Sequence, residues 1–204
     1  AQGLVAKEGS IIDASFIEAP KQRNTRAQNK QIKEGERPDG FEKGSPKGAQ
    51  KDCDARWTKK NHETHFGYKN HAKVDAKSKL IDSYATTPAS VHDSQVFEEL
   101  LDEKDKAILS DSAYKSQANE EVLLKHNLED FTMLKANRNS PLSDDDKTYN
   151  KKVSRIRVRV EHVFGRMKYM AADMFRRIGL QRASQHNALC NLTYNMDRYA
   201  FLQR

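Results

Sequence analysis

The chain has little that could cross-link it or anchor it in a bilayer. Its 204 residues include two cysteines, Cys53 and Cys190. They are too few and too far apart for a disulfide framework or a zinc-ligand pattern, and the seven histidines show no metal-type pairing with them. No window is apolar enough to span a membrane, and no secretory leader opens the chain. Apolar residues are scarce, at 36% hydrophobic against 32% charged. That balance is low for a compact domain, so part of the chain is expected in loops or linkers. These absences point to a cytoplasmic protein. The opening "AQGLVAKEGS" reads as the start of a fragment, close to a strand.

Positive charge is in excess, and in one place. The net charge is +7. From Lys147 to Arg182 there are eleven Lys or Arg against two acids, Glu161 and Asp173, while the rest of the chain sums to −2. A positive field confined to one C-terminal segment points to a polyanionic partner more specifically than a high overall charge does.

Along the chain, "GSIIDASFIEA" has the β-branched content and alternation of a strand, about Ser10 to Ile17. Residues 20–60 are glycine-rich, charged and poor in aliphatic side chains, and predict a long irregular loop or arm, with Trp57 anchoring its end. "HFGYKNHAKVD" and "KLIDSYATTP", joined through "AKSK", predict a β-hairpin. Asp93 or Ser90 is expected to cap a helix through "SQVFEELLDE". "KAILSD" predicts a strand, "SQANEEVLLKHN" a helix, "DFTMLKA" a strand and "SPLSDDDKTYNKK" a polar connection. From Val153, apolar residues at 153, 156, 160, 163, 167 and 170 define one face of a helix. After a break near Gly179, a last helix spans about Ser184 to Phe201, with Ala188, Leu189, Leu192, Met196 and Tyr199 as apolar positions. This order implies a mixed five-stranded sheet flanked by helices.

Three acids stand out. Asp13 follows an Ile-Ile pair, Asp111 closes "AILSD", and Glu161 lies on the helix expected to cover the sheet. Oxygen-only ligands suit Mg²⁺ or Mn²⁺, and such a cluster can hold two hard cations about 4 Å apart for attack on a phosphodiester. At 100° per residue, Arg157, Glu161, Phe164 and Lys168 share one stripe at the rim of the buried face, and Arg155, Arg159 and Arg166 form an outward ridge. Helix geometry alone favours an Arg157–Glu161–Lys168 ion-pair stripe on the surface, worth a few tenths of a kcal/mol. Asp75, Asp82 and Asp93 read as a turn acid, a polar strand position and a cap. His92 reads as a capping or packing residue, and Tyr114 as packing beneath the acids.

The stretches "IIDASFIEAP", "DARWTKKNHETHFGYKNHAKVD", "LIDSYATTPASVHDSQVFEELL", "LSDSAYKS", "RVRVEHVFGRMK" and "LCNLTYNMDRY" occur in order over nearly the whole chain. They resemble the catalytic domain of bacterial insertion-sequence transposases of the IS5 group, which has a ribonuclease-H-like α/β fold with a DDE triad. The resemblance maps the triad, and so the ligands of two Mg²⁺ or Mn²⁺ ions, to Asp13, Asp111 and Glu161. The family's signature Tyr-x2-Arg-x3-Glu-x6-Lys is met by Arg157, Glu161 and Lys168, with Ser154 at the Tyr position.

The resemblance implies cleavage of element ends and transfer of the freed 3′-hydroxyl into target DNA. Arg157 and Lys168 would then lie near the cleaved phosphate. Arg155, Arg159, Arg166, Lys151 and Lys152 would contact double-stranded DNA through its phosphates. It also implies a homodimer in the active complex, a nucleoid-associated bacterial location, and an N-terminal DNA-binding region outside residues 1–204. A metal-dependent nuclease of the same fold, or a DNA-binding protein that has lost the chemistry, are the alternative readings.

Overall fold

The computed structural model describes residues 8–60, 62–136 and 141–204. The expectations for the opening stretch 1–7, and for Ser140 at the start of the polar connection, lie outside the described residues. The strands are β1 (Ser10–Glu18), β2 (Arg56–Lys60), β3 (Glu63–Asp75), β4 (Ile81–Pro88), β5 (Ala107–Ser110) and β6 (Glu129–Thr132). The helices are α1 (Arg26–Lys33), α2 (Phe97–Leu100), α3 (Gln117–Lys125), α4 (Asp144–Tyr169) and α5 (Leu180–Leu202).

The sheet runs β2-β3-β1-β5-β6, with β4 also paired to β3. β1, β3 and β4 are antiparallel neighbours, whereas β5 and β6 run parallel to β1. The sheet is therefore mixed, as expected, but six-stranded rather than five-stranded.

Alternation along β1 divides the core. Ile11 joins Val74, Leu109, Val153, Val160, Val163, Phe164 and Met167 on the side covered by α4. Ile12 joins Phe97, Leu100, Ile108, Tyr114 and Leu123 on the side of α2 and α3. The apolar face predicted from Val153 onward is the buried face of α4, except that Ile156 is exposed. Each of its buried aliphatic side chains contributes about 1.5–3 kcal/mol of burial free energy.

Four expectations are corrected. The segment 20–60 is not one irregular arm. It contains α1, started by a Thr25 capping box, and β2, paired to β3. Its few apolar residues are placed well enough to bury Ile32, Phe41 and Ala55. The polar connection is helical from Asp144, because Ser143 and Asp146 form a capping box and three acids occupy the first turn.

The turn before α2 is capped by the His92 ring, which accepts from the Ser94 N–H. Asp93 is drawn away by the Lys69 ammonium at 2.7 Å. Finally, α5 buries Ala183, Asn187, Asn191 and Tyr194, while Leu189, Leu192 and Met196 face outward. The physical reason lies on the edge strand. The Asn195 amide accepts from the Ile81 N–H (2.9 Å) and donates to its C=O (2.8 Å), and Asn187 donates to Asn70 and Thr86. Amide side chains satisfy the polar groups under this helix that leucines would leave unpaired.

Candidate active site

β1 and β5 pair in parallel only as far as Ile12 and Ser110. The next residues, Asp13 and Asp111, stand side by side where β5 stops. Residues two apart in a strand share a face, so Asp13 follows Ile11 and Asp111 follows Leu109 to the side covered by α4. The end of β5 leaves backbone donors to be satisfied, and each carboxylate takes the one next to it. Asp13 accepts from the Ala14 N–H at 2.8 Å, and Asp111 accepts from the Ser112 N–H as the cap of a short turn.

The remaining oxygen of Asp13 is held by α4, where Arg157 Nη2 donates to Asp13 Oδ2 at 2.9 Å. The other Arg157 amino group donates to the Met133 sulfur at 3.3 Å, and its Nε is buried without a partner. Burial pushes the Asp13 carboxyl above the usual carboxylate range. Arg157 works against this, and the nearby Asp111 adds to it. Two acids thus share one pocket with one firmly placed counter-ion.

Glu161 lies one turn beyond Arg157 on α4, about 40° further round the helix. It is exposed, and it has no hydrogen bond or ion pair among the described residues. The ion-pair stripe that helix geometry allows does not form, because Arg157 is committed to Asp13. Among the described residues no three His, Cys, Asp or Glu side chains are close enough together to hold a metal ion. The structure therefore unites Asp13, Asp111 and Arg157, and leaves Glu161 on the covering helix without contact to them. The two adjacent carboxylates are oxygen donors of the kind a hard cation takes, with the Arg157 guanidinium at present occupying one oxygen of Asp13.

The basic residues fall into two groups. Lys151, Lys152, Arg155 and Lys168 are exposed. Arg159 instead donates to the Ala76 carbonyl, and Arg166 makes two bonds to Asp197, at 3.0 and 2.9 Å. The expected roles of Asp75, Asp82 and Tyr114 hold. Asp75 accepts from Lys77 and Ser78 in its turn, Asp82 pairs with Lys73 from β4, and Tyr114 is buried under the acids. Met133 as a partner of Arg157 has no signal in the sequence.

The core order β4-β3-β1-β5-β6, with one acid within β1 and another just past the end of the parallel neighbour β5, is the ribonuclease-H-like arrangement of DNA-processing domains. The family model described as "Transposase DDE domain" matches residues 6–196, and the chain belongs to that family. Such domains generally use divalent metal ions. Among proteins of known name, the chain is similar to the transposase for insertion sequence element IS1106 of Neisseria meningitidis serogroup B. The two are 35% identical over 146 residues, which is 69% of this chain and 50% of that protein. The chain thus spans about half the length of the curated relative it matches.

Proposed function

We propose that this domain catalyses metal-dependent cleavage at insertion-element ends and joins the freed 3′-hydroxyl to target DNA, as part of a transposase of the IS5 group. The observation that carries this reading is the side-by-side placement of Asp13 and Asp111 where β5 ends, with Arg157 of α4 paired to Asp13. Asp13, Asp111 and Glu161 are the proposed catalytic residues and the ligands of two Mg²⁺ or Mn²⁺ ions. When bound, such ions polarise the scissile phosphate and lower the pKa of the attacking water or hydroxyl.

The chain's own residues do the rest. Asp13 must release Arg157 to accept a divalent ion, which frees the guanidinium for a phosphate oxygen. Glu161, one turn beyond Arg157 on α4, would have to move toward these two acids to join them. Lys168, two turns on along the same stripe, is placed for the next phosphate. Lys151, Lys152 and Arg155, exposed and without an ion-pair partner among the described residues, offer positive charge to the DNA backbone.

The test is nicking of a supercoiled plasmid carrying element ends, with Mn²⁺ or Mg²⁺ titrated in. Cleavage is expected only with the divalent ion. Apparent ion affinity should weaken as pH falls through the raised Asp13 pKa, by about tenfold per pH unit for one competing proton. Nicking that persists in excess chelator would exclude the reading. Transfer of a pre-cleaved 3′-end into a second plasmid separates a transposase from a nuclease of the same fold.

The homodimer in the active complex is supported by α5. Residues 183–196 carry no Lys, Arg, Asp or Glu in a chain that is 32% charged. Leu189, Leu192 and Met196, spaced three and four apart, are 62%, 56% and 64% exposed along this stretch. A neutral apolar stripe suits a second copy of itself better than it suits DNA. Its small area, roughly below 1,000 Å² for the pair, predicts a weak dimer. Sedimentation velocity should show concentration-dependent dimerisation that Leu192→Arg removes. A sedimentation coefficient that stays monomeric up to millimolar wild-type protein would rule the stripe out.

A further inference from the structure

The turn between β3 and β4 collects positive charge that the carboxylate site does not use. Asp75 shapes this turn by accepting from the Lys77 and Ser78 N–H groups and the Ser78 hydroxyl. Lys79 follows with φ at 63°, a left-handed conformation that favours glycine or asparagine over lysine. Both long helices then reach the turn. Arg159 of α4 donates to the Ala76 carbonyl. Arg198 of α5 donates to the Ser78 carbonyl at 2.7 Å, and the Tyr194 hydroxyl donates to the Lys79 carbonyl at 2.9 Å.

Between these elements lies a cavity of about 370 Å³, lined among others by Lys79, His162, Arg166, Arg198 and Arg204. Its lining contains one acid, Asp197, and Arg166 already holds both of that acid's oxygens. The Lys79 ammonium lies 3.0 Å from His162 Nδ1, so its contact inside the cavity is an imidazole nitrogen rather than a carboxylate. Burial, Arg198 and Arg159 together push the Lys79 ammonium below its ordinary pKa, as expected for cations crowded without a counter-ion.

We propose that this cavity is a phosphate-binding pocket, in which Lys79, Arg198 and His162 grip a backbone phosphate of duplex DNA. The inference deepens the transposase reading and rests on it for the identity of the polyanion. His162 and Arg166 lie on the flank of α4 turned away from the Arg157–Glu161 stripe, roughly 100–140° round the helix. A strand that meets Asp13 and Asp111 on one flank must cross α4, about 10–12 Å wide, to reach the pocket on the other. The exposed Lys151 and Arg155 lie on the outward face of α4, over which that strand would pass. The pocket would therefore hold the duplex across α4, independently of the ions at the acids.

Lys79→Asn separates binding from folding. Asparagine tolerates the left-handed backbone and carries no charge, so the melting temperature should stay the same or rise. In the absence of divalent ions, affinity for duplex DNA should fall several-fold, and the slope of log affinity against log salt should shrink by about 0.9, the loss of one phosphate contact. His162→Ala should lower affinity with a smaller change in slope. Inorganic pyrophosphate should raise the melting temperature of the wild-type protein, and of an Asp13→Asn variant, but not of Lys79→Asn.

Unchanged affinity and slope in Lys79→Asn, or an equal pyrophosphate shift in both proteins, would overturn the pocket. If the wild-type protein binds no duplex at all, the DNA assignment fails. A pyrophosphate shift lost in Lys79→Asn would then identify a pocket for small phosphates instead. Failure of nicking alone, with the salt slope behaving as described, would count against the carboxylate site and leave the pocket standing.

Discussion

Asp111→Asn is expected to lower divalent-dependent nicking by at least about 10³-fold while leaving the fold intact. A hard ion placed at a reacting phosphate stabilises the transition state by several kcal/mol, and each 1.36 kcal/mol is tenfold in rate. Asparagine keeps the oxygen that accepts from the Ser112 N–H, so the cap of the turn after β5 survives and only the ligand charge is lost. Asp13→Asn and Glu161→Gln should match it. Glu161 is the sharper of these tests, because it lies on the surface of α4 without contact to either acid. A Glu161→Gln enzyme that nicks at a wild-type rate would reduce the site to two carboxylates.

Arg157→Gln should behave differently. With the guanidinium gone from Asp13, a divalent ion meets less competition, so apparent ion affinity should rise. The rate at saturating ion should fall, because the phosphate loses a cation. Asp75→Asn keeps an acceptor for the turn and should nick normally, even though it is also an acid at a strand end.

What could be read in advance, and what could not, follows from where side-chain pattern decides structure. β1 and the β3–β4 hairpin are strongly patterned, and Asp13 and Asp111 could be placed because each follows an apolar strand run, Ile11-Ile12 in β1 and Ala107-Ile108-Leu109 in β5. α4 was legible because its interior face is aliphatic. α1 and β2 were not, because they are held by caps and single contacts rather than by periodicity. Arg56, for example, ties the segment to α1 by donating to the Ile32 carbonyl at 2.8 Å. α5 misled for the opposite reason. Its leucines are apolar positions that stay outside, because the edge of β4 offers polar groups that Asn187 and Asn195 answer, while Asn191 accepts from Asn70 of β3. The same limit applies at the site. The spacing of Arg157, Glu161 and Lys168 was visible, but which acid Arg157 would choose depended on how closely α4 approaches β1.

Lys73→Ala is expected to be the most destabilising single change, at roughly 3–5 kcal/mol, the usual cost of leaving a buried charge without its partner. Lys73 is fully buried on the α2 and α3 side of the sheet, with its ammonium 2.7 Å from Asp105 and 3.0 Å from Asp82. The Asp105 side chain is itself fully buried, and it also accepts from the Ser10 hydroxyl at 3.0 Å and the Asp102 N–H at 2.9 Å. This one carboxylate therefore ties β3, the start of β1 and the entry to β5, the two strands that carry Asp13 and Asp111. Domains of this size have about 5–15 kcal/mol in total, so the loss would move the urea midpoint down by roughly 1–3 M.

The double variant Lys73→Met with Asp105→Asn tests the cause. It removes both charges, keeps an oxygen for the Asp102 N–H, turns an amide donor to the Ser10 hydroxyl, which can accept, and fills the lysine's space. Asp82, at the more exposed end of the pair, is left with solvent to share its charge. The double variant should recover at least half of the lost stability, a coupling of about 2 kcal/mol in the mutant cycle. Nicking should return with it, since neither residue lies among the proposed ligands. If Lys73→Ala costs less than about 1 kcal/mol, the charge of Asp105 has another outlet. The entry to β5, and with it the position of Asp111, would then have to be held by the apolar contacts of Ile108 and Leu109 alone.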